Sequence, residues 1–420
     1  MKSLKIAVVG AGPAGMMAAI RASQLQAQVT LIERNPSLGR KLLLSGKGRC
    51  NLTNASGLEE YLRRFFGQGD FLRDAFKKFF HQQLIDFFQS RGLKLKVERQ
   101  NRVFPVTDNS GSILEILEKE LRNNKVEIRT GSRAVEVIVE HGRALGLRLQ
   151  GAGQLLADKI ILATGGVSYS FAGSTGDGLE MARKLAHKIT ELRPGLVALE
   201  VKEKFCLRLQ GLALKNIRLK VNCGKRRINS EIGELVFTDF GISGPLVLSL
   251  SAKVADCLAK GISAQAGIDL KPALSLEQLD ARILREIRLN RKKNLRNTLK
   301  TLLPLKLIDV FAELLKINPL KTANQLNQPE RRQVAELLKN FPLIISRCRP
   351  IEGAMITHGG ISLKEINPRS MESRRVKGLY FCGEMIDVDA DTGGFNLQAA
   401  FSTGYLAGES AATPTGDGSQ

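Results

Sequence analysis

Apolar positions at the start of the chain change their spacing twice within about thirty residues. A short apolar run, Ile6–Val9, has the length and composition of a buried strand, and an alanine-rich stretch from about Pro13 to Leu25 predicts a helix. Residues Gln28–Ile32 predict a second strand. A strand, a helix and a strand in this order are typical of a parallel β-α-β unit, so the pattern predicts an α/β domain.

Later apolar patterns predict a small antiparallel meander that returns to a buried strand. A helix over 112–123 and a strand over 126–129 are followed by alternating runs at 134–139, 145–149 and 155–162. The last run ends in Ala163-Thr164-Gly165-Gly166, where glycines permit close approach by a cofactor. A meander between parallel strands is common in FAD-binding domains and unusual in NAD-only dehydrogenases, so it favours FAD.

The pattern changes again after Pro194 and reverts near Ile351. Short apolar runs predict strands at 196–201, 206–209, 217–221 and 235–238, and a leucine-rich segment with helical spacing extends from 275 to 340. We therefore predict a discontinuous FAD-binding domain, 1–193 and 350–411, interrupted by an inserted β-rich subdomain at 194–270 and a helical subdomain at 271–349. Residues 412–420 are predicted to be a disordered tail.

Composition narrows the class of protein. The net charge is +22, and residues 194–349 hold 28 Lys and Arg against 14 Asp and Glu, a net charge of +14. Such an excess suits acidic substrates, nucleic acid or an anionic membrane surface, and charge alone does not rank them. The cysteines and histidines are dispersed, so no metal site is expected. No apolar stretch reaches the ~18 residues of a membrane span, and we expect a cytoplasmic protein.

A glycine motif joins the first strand to the first helix. In Gly10-Ala11-Gly12-Pro13-Ala14-Gly15, the first glycine permits a tight turn, the second permits backbone approach to a pyrophosphate, and the third permits close helix–strand packing. Glu33, at the end of the second strand, can accept hydrogen bonds from ribose hydroxyls and would repel a 2′-phosphate. The motif favours FAD or NAD over NADP, and the meander favours FAD.

Longer motifs carry a family resemblance over nearly the whole chain. They are 38–54 (LGRKLLLSGKGRCNLTN), 102–105 (RVFP), 240–245 (FGISGP) and 378–398. With these motifs the chain resembles the BaiN or aminoacetone-oxidase-like bacterial FAD-dependent oxidoreductases, relatives of the glutathione-reductase-like flavoproteins. The resemblance implies a glutathione-reductase-like Rossmann domain, with a parallel sheet and a β-meander, that is interrupted by a strand-rich and helical insert.

The resemblance also implies a set of cofactor contacts. FAD would be held by Gly10, Gly12, Pro13, Ala14 and Gly15, with its ribose at Glu33. Further implied contacts come from Arg34, Arg40, Lys41, Ser45, Gly46, Cys50, Asn51, Val135, Ala163, Thr164, Gly165, Gly383, Glu384, Asp387, Asn396 and Leu397. The backbone of Val135 would meet adenine, and the helix after Gly394 would direct its positive end at the flavin. Asn396 and Gln398 could contact the flavin or cap their own helix.

No catalytic acid or base is assigned by these motifs. His358 precedes Gly359-Gly360, where a strand would meet the flavin, and could deliver a proton or serve a structural role. The family tends to place a histidine at the position of Asp239, so no proton-transfer role is carried over to that residue. Cys50 lacks a partner cysteine nearby, and packing is favoured over a reactive thiol.

Two classes of function remain open at this point. The first is hydride transfer between flavin N5 and a small organic substrate, either NAD(P)H-linked reduction of an activated C=C bond or oxidation of an amine or alcohol. A second Gly-x-Gly-x-x-Gly is absent, so NAD(P)H is expected only as a transient donor. The alternative is an RNA-binding or RNA-modifying flavoprotein that uses the basic insert.

A stripe of basic residues in the insert is relevant to the RNA-binding alternative. Basic residues recur at helical spacing at Arg282, Arg285, Arg288, Lys292, Arg296 and Lys300. The stripe is either a solvated helix face or a docking surface for RNA or anionic lipid. Aromatic residues that could stack on bases are scarce in this part of the chain, which weighs against single-strand recognition. The oligomeric state is not indicated by the sequence.

Overall fold

The computed structural model describes residues 3–318 and 320–413. The strands, numbered in chain order, are β1 (Lys5–Val9), β2 (Gln28–Ile32), β3 (Thr53–Asn54), β4 (Leu95–Val97), β5 (Arg102–Pro105), β6 (Glu127–Arg129), β7 (Ala134–Glu140), β8 (Arg143–Leu149), β9 (Gly153–Leu156), β10 (Lys159–Leu162), β11 (Arg193–Gly195), β12 (Leu199–Val201), β13 (Ala213–Cys223), β14 (Arg226–Phe237), β15 (Gly241–Ser243), β16 (Ala264–Asp269), β17 (Phe341–Cys348), β18 (Ile356–His358) and β19 (Leu379–Phe381). The helices are α1 (Pro13–Gln24), α2 (Arg40–Leu44), α3 (Leu58–Arg63), α4 (Arg73–Lys78), α5 (His81–Gln89), α6 (Gly111–Asn123), α7 (Asp177–Lys184), α8 (Cys206–Leu209), α9 (Pro245–Ala259), α10 (Leu276–Leu289), α11 (Leu295–Leu299), α12 (Leu305–Leu315), α13 (Gln328–Lys339) and α14 (Phe395–Ala412).

The chain forms two compact units, one with the residues up to Arg193 and from Ile351 onward, the other with Pro194–Pro350. A parallel sheet in the order β19-β10-β1-β2-β6 lies at the centre of the first unit. Its central strands are apolar on both faces, as expected for a sheet that helices cover on both sides. α14 packs so closely on α1 that a Cβ at Gly404 would lie 2.2 Å from the Ala14 carbonyl oxygen.

Smaller sheets accompany the parallel sheet of this unit, among them two antiparallel sheets of three strands each. The meander β7-β8-β9 was predicted, but its last apolar run, 155–162, contains two strands instead of one. β9 ends at Leu156 in the meander, and β10 begins at Lys159 in the parallel sheet. A turn between them moves the chain from one sheet to the other, which apolar content alone does not reveal. The third sheet has the order β3-β5-β4.

The second unit is a closed barrel with helices packed on it. The barrel order is β12-β15-β14-β13-β16-β17, and β17 closes it by pairing with both β16 and β12. The predicted helical subdomain, 271–349, is therefore wrong at its end, because 341–348 is a barrel strand. The predicted strand at Cys206–Leu209 is the short helix α8. Four residues with apolar character at both ends do not distinguish a strand from one helical turn.

The basic stripe is not one helix face. α10 ends at Leu289 and α11 spans Leu295–Leu299, so the six residues lie on two helices, in the connection between them and directly after α11. Arg296 pairs with Asp309, with 2.7 Å between its Nε and the carboxylate Oδ1. Asn290 caps the end of α10 and Asn294 caps the start of α11. Asparagine has only a moderate helix propensity penalty, so the regular spacing of the basic residues predicted one continuous helix face.

Two expectations concern the predicted tail at 412–420 and membrane-spanning helices. Ala412, the first residue of the predicted tail, is the last residue of α14, and 414–420 lie outside the described residues. Among the helices that the structure describes, none is long and apolar enough to cross a membrane.

Candidate cofactor site

The glycine motif forms a tight junction between β1 and α1. A Cβ at Gly15 would lie 1.8 Å from the Gly10 carbonyl oxygen, and a Cβ at Gly10 would lie 2.6 Å from the Ala163 carbonyl oxygen. Side chains are excluded at both positions by this packing. Gly12 differs, because its backbone has φ −79° and a Cβ there would meet nothing within 4 Å. The space above Gly12 is therefore open.

The open space lies at the N-terminus of α1. Gly12 is the N-cap of this helix and Pro13 is its first residue, and no side chain caps the helix. The amide groups of an uncapped first turn and the positive end of the helix dipole form an anion-binding site. Ala14, in the same turn, is buried. The turn therefore leaves an open anion-binding position that a pyrophosphate could occupy.

Glu33 lies beside this turn, after β2. It is 8% exposed, and its Oε2 accepts a hydrogen bond of 2.8 Å from the Ala11 amide. Its Oε1 accepts from the backbone and side-chain nitrogens of Asn35, at 2.8 and 2.6 Å. An ionised carboxylate has about four acceptor positions, so capacity remains for a ribose hydroxyl. The backbone fixes the orientation of Glu33 toward the turn.

An open cleft with about 370 Å³ of empty space adjoins Glu33. It is lined by Val9, Gly10, Ile32, Glu33, Arg34, Ser132, Arg133, Ala134, Thr164, Gly173, Thr175 and Asp177. Asp177 accepts hydrogen bonds from Arg133 at 2.7 and 2.8 Å and from Arg34 at 3.2 Å. The Arg133 guanidinium lowers the pKa of the Asp177 carboxyl.

The sequence predicted part of this cleft. Its predicted members are Gly10, Glu33, Arg34 and Thr164, and predicted Val135 follows the lining residue Ala134 in β7. Arg133 and Asp177 were missed, because they are separated by 44 residues and only the fold brings them together. Opposite charges at the start of β7 and of α7 are the one signal that the sequence offered.

Lys41 and Glu384 form an ion pair at the next part of the site. The Lys41 Nζ lies 2.6 Å from the Glu384 Oε2 and donates to the Ser168 hydroxyl at 2.7 Å. The Thr357 amide and the Ser168 hydroxyl donate to the Glu384 Oε1, at 2.7 and 2.8 Å. Both charged residues were predicted as separate cofactor contacts. The structure joins them in one network that ties α2 to the segment after β19.

The loop 45–51 is held mainly by its own chain. The Ser45 hydroxyl donates to the Leu42 carbonyl at 2.6 Å, and a Cβ at Gly46 would lie 2.7 Å from the Asn51 amide nitrogen. Cys50 is fully buried, and burial raises the pKa of its thiol to about 12. Cys50 is therefore a packed thiol at neutral pH, which agrees with the interpretation that favoured packing.

Arg40 and Asn51 reach other parts of the first unit. The exposed Arg40 donates to the Asn35 Oδ1 at 2.8 Å. With its amide oriented to satisfy both groups, Asn51 donates to the Thr53 carbonyl at 3.1 Å and accepts from the Gly394 amide at 3.0 Å. Asn51 therefore links the loop 45–51 to the start of α14.

The predicted residues 163–165 follow β10 at the same edge of the sheet. Thr164 donates its amide to the Met385 Sδ at 3.3 Å, and Gly383 donates its amide to the Thr403 hydroxyl at 3.0 Å. The Thr164 hydroxyl oxygen is buried and has no hydrogen-bond partner among the described residues. A buried hydroxyl without a partner is costly, so this atom fits a site that a ligand completes.

The side chains at the start of α14 bind protein groups. The Asn396 Oδ1 accepts from the Ala390 amide at 2.9 Å, and its Nδ2 donates to the Ala390 carbonyl at 2.8 Å. Gln398 is buried and accepts from the Thr53 hydroxyl at 2.6 Å, while Leu397 is half-buried. Among the described residues, no side chain caps the helix at Gly394, although Asn51 accepts the amide of Gly394 itself. The amides of the first turn after Gly394, rather than these side chains, are the groups that a ligand could meet.

Three of these features, together called the cradle, fit a dinucleotide. The open Gly12 turn suits the pyrophosphate, Glu33 and its cleft suit the adenosine, and the uncapped α14 suits an anionic ring edge. The carboxyl ends of the parallel strands lie at the edge where folds of this kind bind dinucleotides. Among the described residues, no group of three His, Cys, Asp or Glu side chains could hold a metal ion.

Comparison with known proteins decides the family. The sequence profile of the HI0933-like protein Rossmann domain matches residues 4–410. The chain belongs to the HI0933-like family. Members are FAD-dependent oxidoreductases, and this chain is one of them, as the motif resemblance predicted. The predicted α/β fold class, a Rossmann-type FAD domain with a parallel sheet and further antiparallel strands, is confirmed.

Two curated relatives cover almost the full length of this family member. A 3-dehydro-bile acid Δ4,6-reductase from Clostridium scindens is 33% identical over 411 residues, which is 97% of this chain and 99% of the relative. A ribosomal RNA dihydrouridine synthase from Escherichia coli is 29% identical over 96% of this chain and 97% of the relative. The two relatives act on different classes of substrate.

Solved structures share the fold at low sequence identity. A 3-ketosteroid Δ4-(5α)-dehydrogenase from Rhodococcus jostii has a TM-score of 0.54 at 15% identity, covering 99% of this chain and 98% of its own. A 3-ketosteroid Δ1-dehydrogenase from Sterolibacterium denitrificans has a TM-score of 0.56 at 13% identity, covering 98% and 100%. These likenesses show the fold alone.

Proposed function

We propose that this FAD-dependent oxidoreductase reduces a C=C bond conjugated to a carbonyl group. The names of both full-length relatives describe reduction of a C=C bond, one in a 3-dehydro-bile acid and one in a uridine. In each substrate a carbonyl withdraws electrons from the double bond. This shared chemistry supports a reductase more than an amine or alcohol oxidase.

The open cradle is the structural observation that supports the FAD-dependent part of the proposal. Gly12, the first turn of α1 and Glu33 would hold the dinucleotide, and the amides at the start of α14 would stabilise negative charge on the flavin. When bound, FAD supplies hydride from its reduced N5. The protein would bind and orient the two reactants.

A steady-state assay tests this function and the electron donor together. Protein loaded with FAD is incubated without oxygen with NADH or NADPH and 4-androstene-3,17-dione, and products are analysed by mass spectrometry. We expect oxidation of one nicotinamide and a steroid that has gained two hydrogens. The saturated 3-ketosteroid is the control and should not change. Oxidation of an added alcohol or amine, with the enone left intact, would contradict the proposal.

A second candidate substrate is a pyrimidine base within RNA. We define the α10 basic cluster as Arg285, Arg288, Arg291, Lys292 and Lys293, which lie on the last turns of α10 and the residues after it. All five side chains are exposed, and none has an ion pair within the described residues. Unpaired cations this dense favour a polyanion, because neutralised phosphates release counterions. The cluster therefore specifically favours the RNA candidate.

Charge reversal separates the two candidates. Binding of an unmodified ribosomal RNA transcript is measured against salt for the wild type and for R285E/R288E. If the cluster contacts phosphates, the slope of log K against log salt falls by about 1.4 for two lost contacts, from ~0.7 per phosphate. The matched control, R226E/R227E, reverses two exposed charges at the start of β14. Equal slopes in all three proteins would exclude the cluster as an RNA surface.

A further inference from the structure

His358 and Asp389 form a side-chain pair at the cofactor edge of the first unit. His358 is the last residue of β18, and its Nδ1 lies 2.8 Å from the Asp389 Oδ1. The Asp389 side chain is 4% exposed and that of His358 is 29% exposed. Because the buried carboxylate accepts from Nδ1, the ring orientation is fixed and Nε2 is directed away from Asp389.

The backbone on both sides of the pair is locked to the segment after β19. The Ile361 amide donates to the Met385 carbonyl at 2.8 Å, and the Asp387 amide donates to the Ile361 carbonyl at 3.0 Å. A Cβ at Gly360 would lie 2.6 Å from the Met385 carbonyl oxygen, so the contact requires glycine. The loop after His358 is therefore held at the edge where the parallel strands end.

The other half of the pair is tied to the start of α14. Asp389 immediately precedes Ala390, whose amide and carbonyl both bond to the Asn396 side chain in the first turn of that helix. On the other side, the Thr357 amide binds the Glu384 carboxylate. The pair therefore lies between the Lys41–Glu384 network and one part of the proposed FAD cradle, the uncapped end of α14.

Acidic groups surround the imidazole. The second oxygen of Asp389, Oδ2, is buried and has no hydrogen-bond partner among the described residues. Asp387 adds a half-buried carboxyl. Burial raises its pKa, and the Thr190 hydroxyl and the charge of His358 offset only part of that rise. Two ion pairs also lie near this loop: Lys41 with Glu384, and Arg193 with Glu191, whose carbonyl oxygen would lie 2.4 Å from a Cβ at Gly359. The carboxyl groups of Asp389 and Asp387 therefore both lie near the imidazole.

We propose that His358 is the proton donor for the reduction, with Asp389 as its positioning residue; this rests on the proposed function. Reduction of a conjugated C=C bond requires a hydride at the β carbon and a proton at the α carbon. The hydride brings two electrons to the substrate, and the π electrons move toward the carbonyl. His358 then transfers its Nε2 proton to the α carbon and regains a proton from water. A reduced nicotinamide, the two-electron donor, is oxidised in the complete cycle.

The first test measures proton uptake and needs no substrate. The midpoint potential of the bound FAD is titrated anaerobically between pH 6 and pH 8 in the wild type, H358Q and H141Q. If the negative charge of reduced FAD lies near His358, the imidazole would take up a proton, so reduction should bind more protons in the wild type than in H358Q. One proton per two electrons changes the slope by about 30 mV per pH unit. H141Q, at the exposed turn between β7 and β8, should match the wild type.

The second test follows reoxidation of the reduced protein by 4-androstene-3,17-dione in a single turnover. General acid catalysis contributes roughly 10²–10⁴-fold, so H358Q should reoxidise at least about 100-fold more slowly. D389N keeps a hydrogen-bond acceptor for His358 but removes the negative charge. Its reoxidation rate should lie between those of the wild type and H358Q. The pH dependence of that rate should also shift, which loss of packing alone would not cause. Wild-type rates in H358Q, or equal proton uptake in H358Q and wild type, would overturn the proposal. If the reduced wild type is not reoxidised by the enone, but wild type and H358Q still differ in the number of protons bound on reduction, the proposed function fails and the placement of His358 near the flavin stands.

Discussion

Replacing Gly12 by valine separates cofactor binding from folding in this protein. A Cβ at this position would meet no atom within 4 Å, and φ is −79°, so we expect the folded backbone to accept valine. The valine would occupy the open space above the first turn of α1, where the pyrophosphate requires backbone contact. We expect the variant to fold and to lose FAD.

The magnitude follows from the hydrogen bonds that the valine blocks. Hydrogen bonds to a charged group contribute about 1.5–3 kcal/mol each, so losing two amide contacts weakens binding by about 3–6 kcal/mol. That range corresponds to an increase in the Kd for FAD of roughly two to four orders of magnitude. Reconstitution of FAD-free protein, followed by quenching of flavin fluorescence, measures this Kd directly.

Gly57 supplies a matched control for the same substitution. It is also a helix N-cap with extended backbone, φ −69°, and a Cβ there also meets nothing within 4 Å. Loss of a glycine N-cap should lower the stability of both variants similarly, by about 1 kcal/mol. If G12V binds FAD as tightly as G57V does, the assignment of the glycine turn is refuted.

Two further predictions concern stability. G15A places a Cβ 1.8 Å from the Gly10 carbonyl oxygen. Overpacking costs about 1–3 kcal/mol, and this contact is severe, so we expect the free energy of unfolding to fall by about 3 kcal/mol or more, seen as a lower urea midpoint. An unchanged midpoint would contradict the packing described here. Burial raises the pKa of Asp387. Its folded form therefore holds the proton more tightly than the unfolded form, and this stability is present at low pH and is lost as the pH rises through the folded pKa. D387N mimics the protonated form, so in FAD-free protein its urea midpoint should exceed that of the wild type at pH 7 and approach it near pH 4; a constant difference across this range would contradict the burial of the carboxyl.

Local chemistry explains which features the sequence predicts well. The turn at Gly10–Gly15 is encoded by contiguous residues whose backbone requirements are individually recognisable, so its strand, helix and acid were predicted almost to the residue. The first helix was predicted to end at Leu25 and ends at Gln24. The apolar run before 163–165 and the family motif at 378–398 extended the site prediction to two distant segments.

Contacts between distant residues explain what could not be predicted. Asp177 meets Arg133, and His358 meets Asp389, only after the sheet has brought separate segments to one edge. β17 closes the barrel by pairing at both of its edges, and its sequence carries no sign of those partners. The basic stripe is divided between two helices because Asn290 caps one and Asn294 caps the next. Both asparagines are visible in the sequence, but the regular spacing of basic residues across them favoured a single helix.

The most direct test of the central claim is a single-turnover experiment on the protein as purified with FAD. The bound flavin is reduced without oxygen, excess reductant is removed, and 4-androstene-3,17-dione or its saturated analogue is added. The account predicts that the enone restores the absorbance of oxidised flavin and gains two hydrogens, while the saturated ketone does neither. Flavin that stays reduced with the enone and with an unmodified ribosomal RNA transcript would contradict the claim that this protein reduces carbonyl-conjugated C=C bonds.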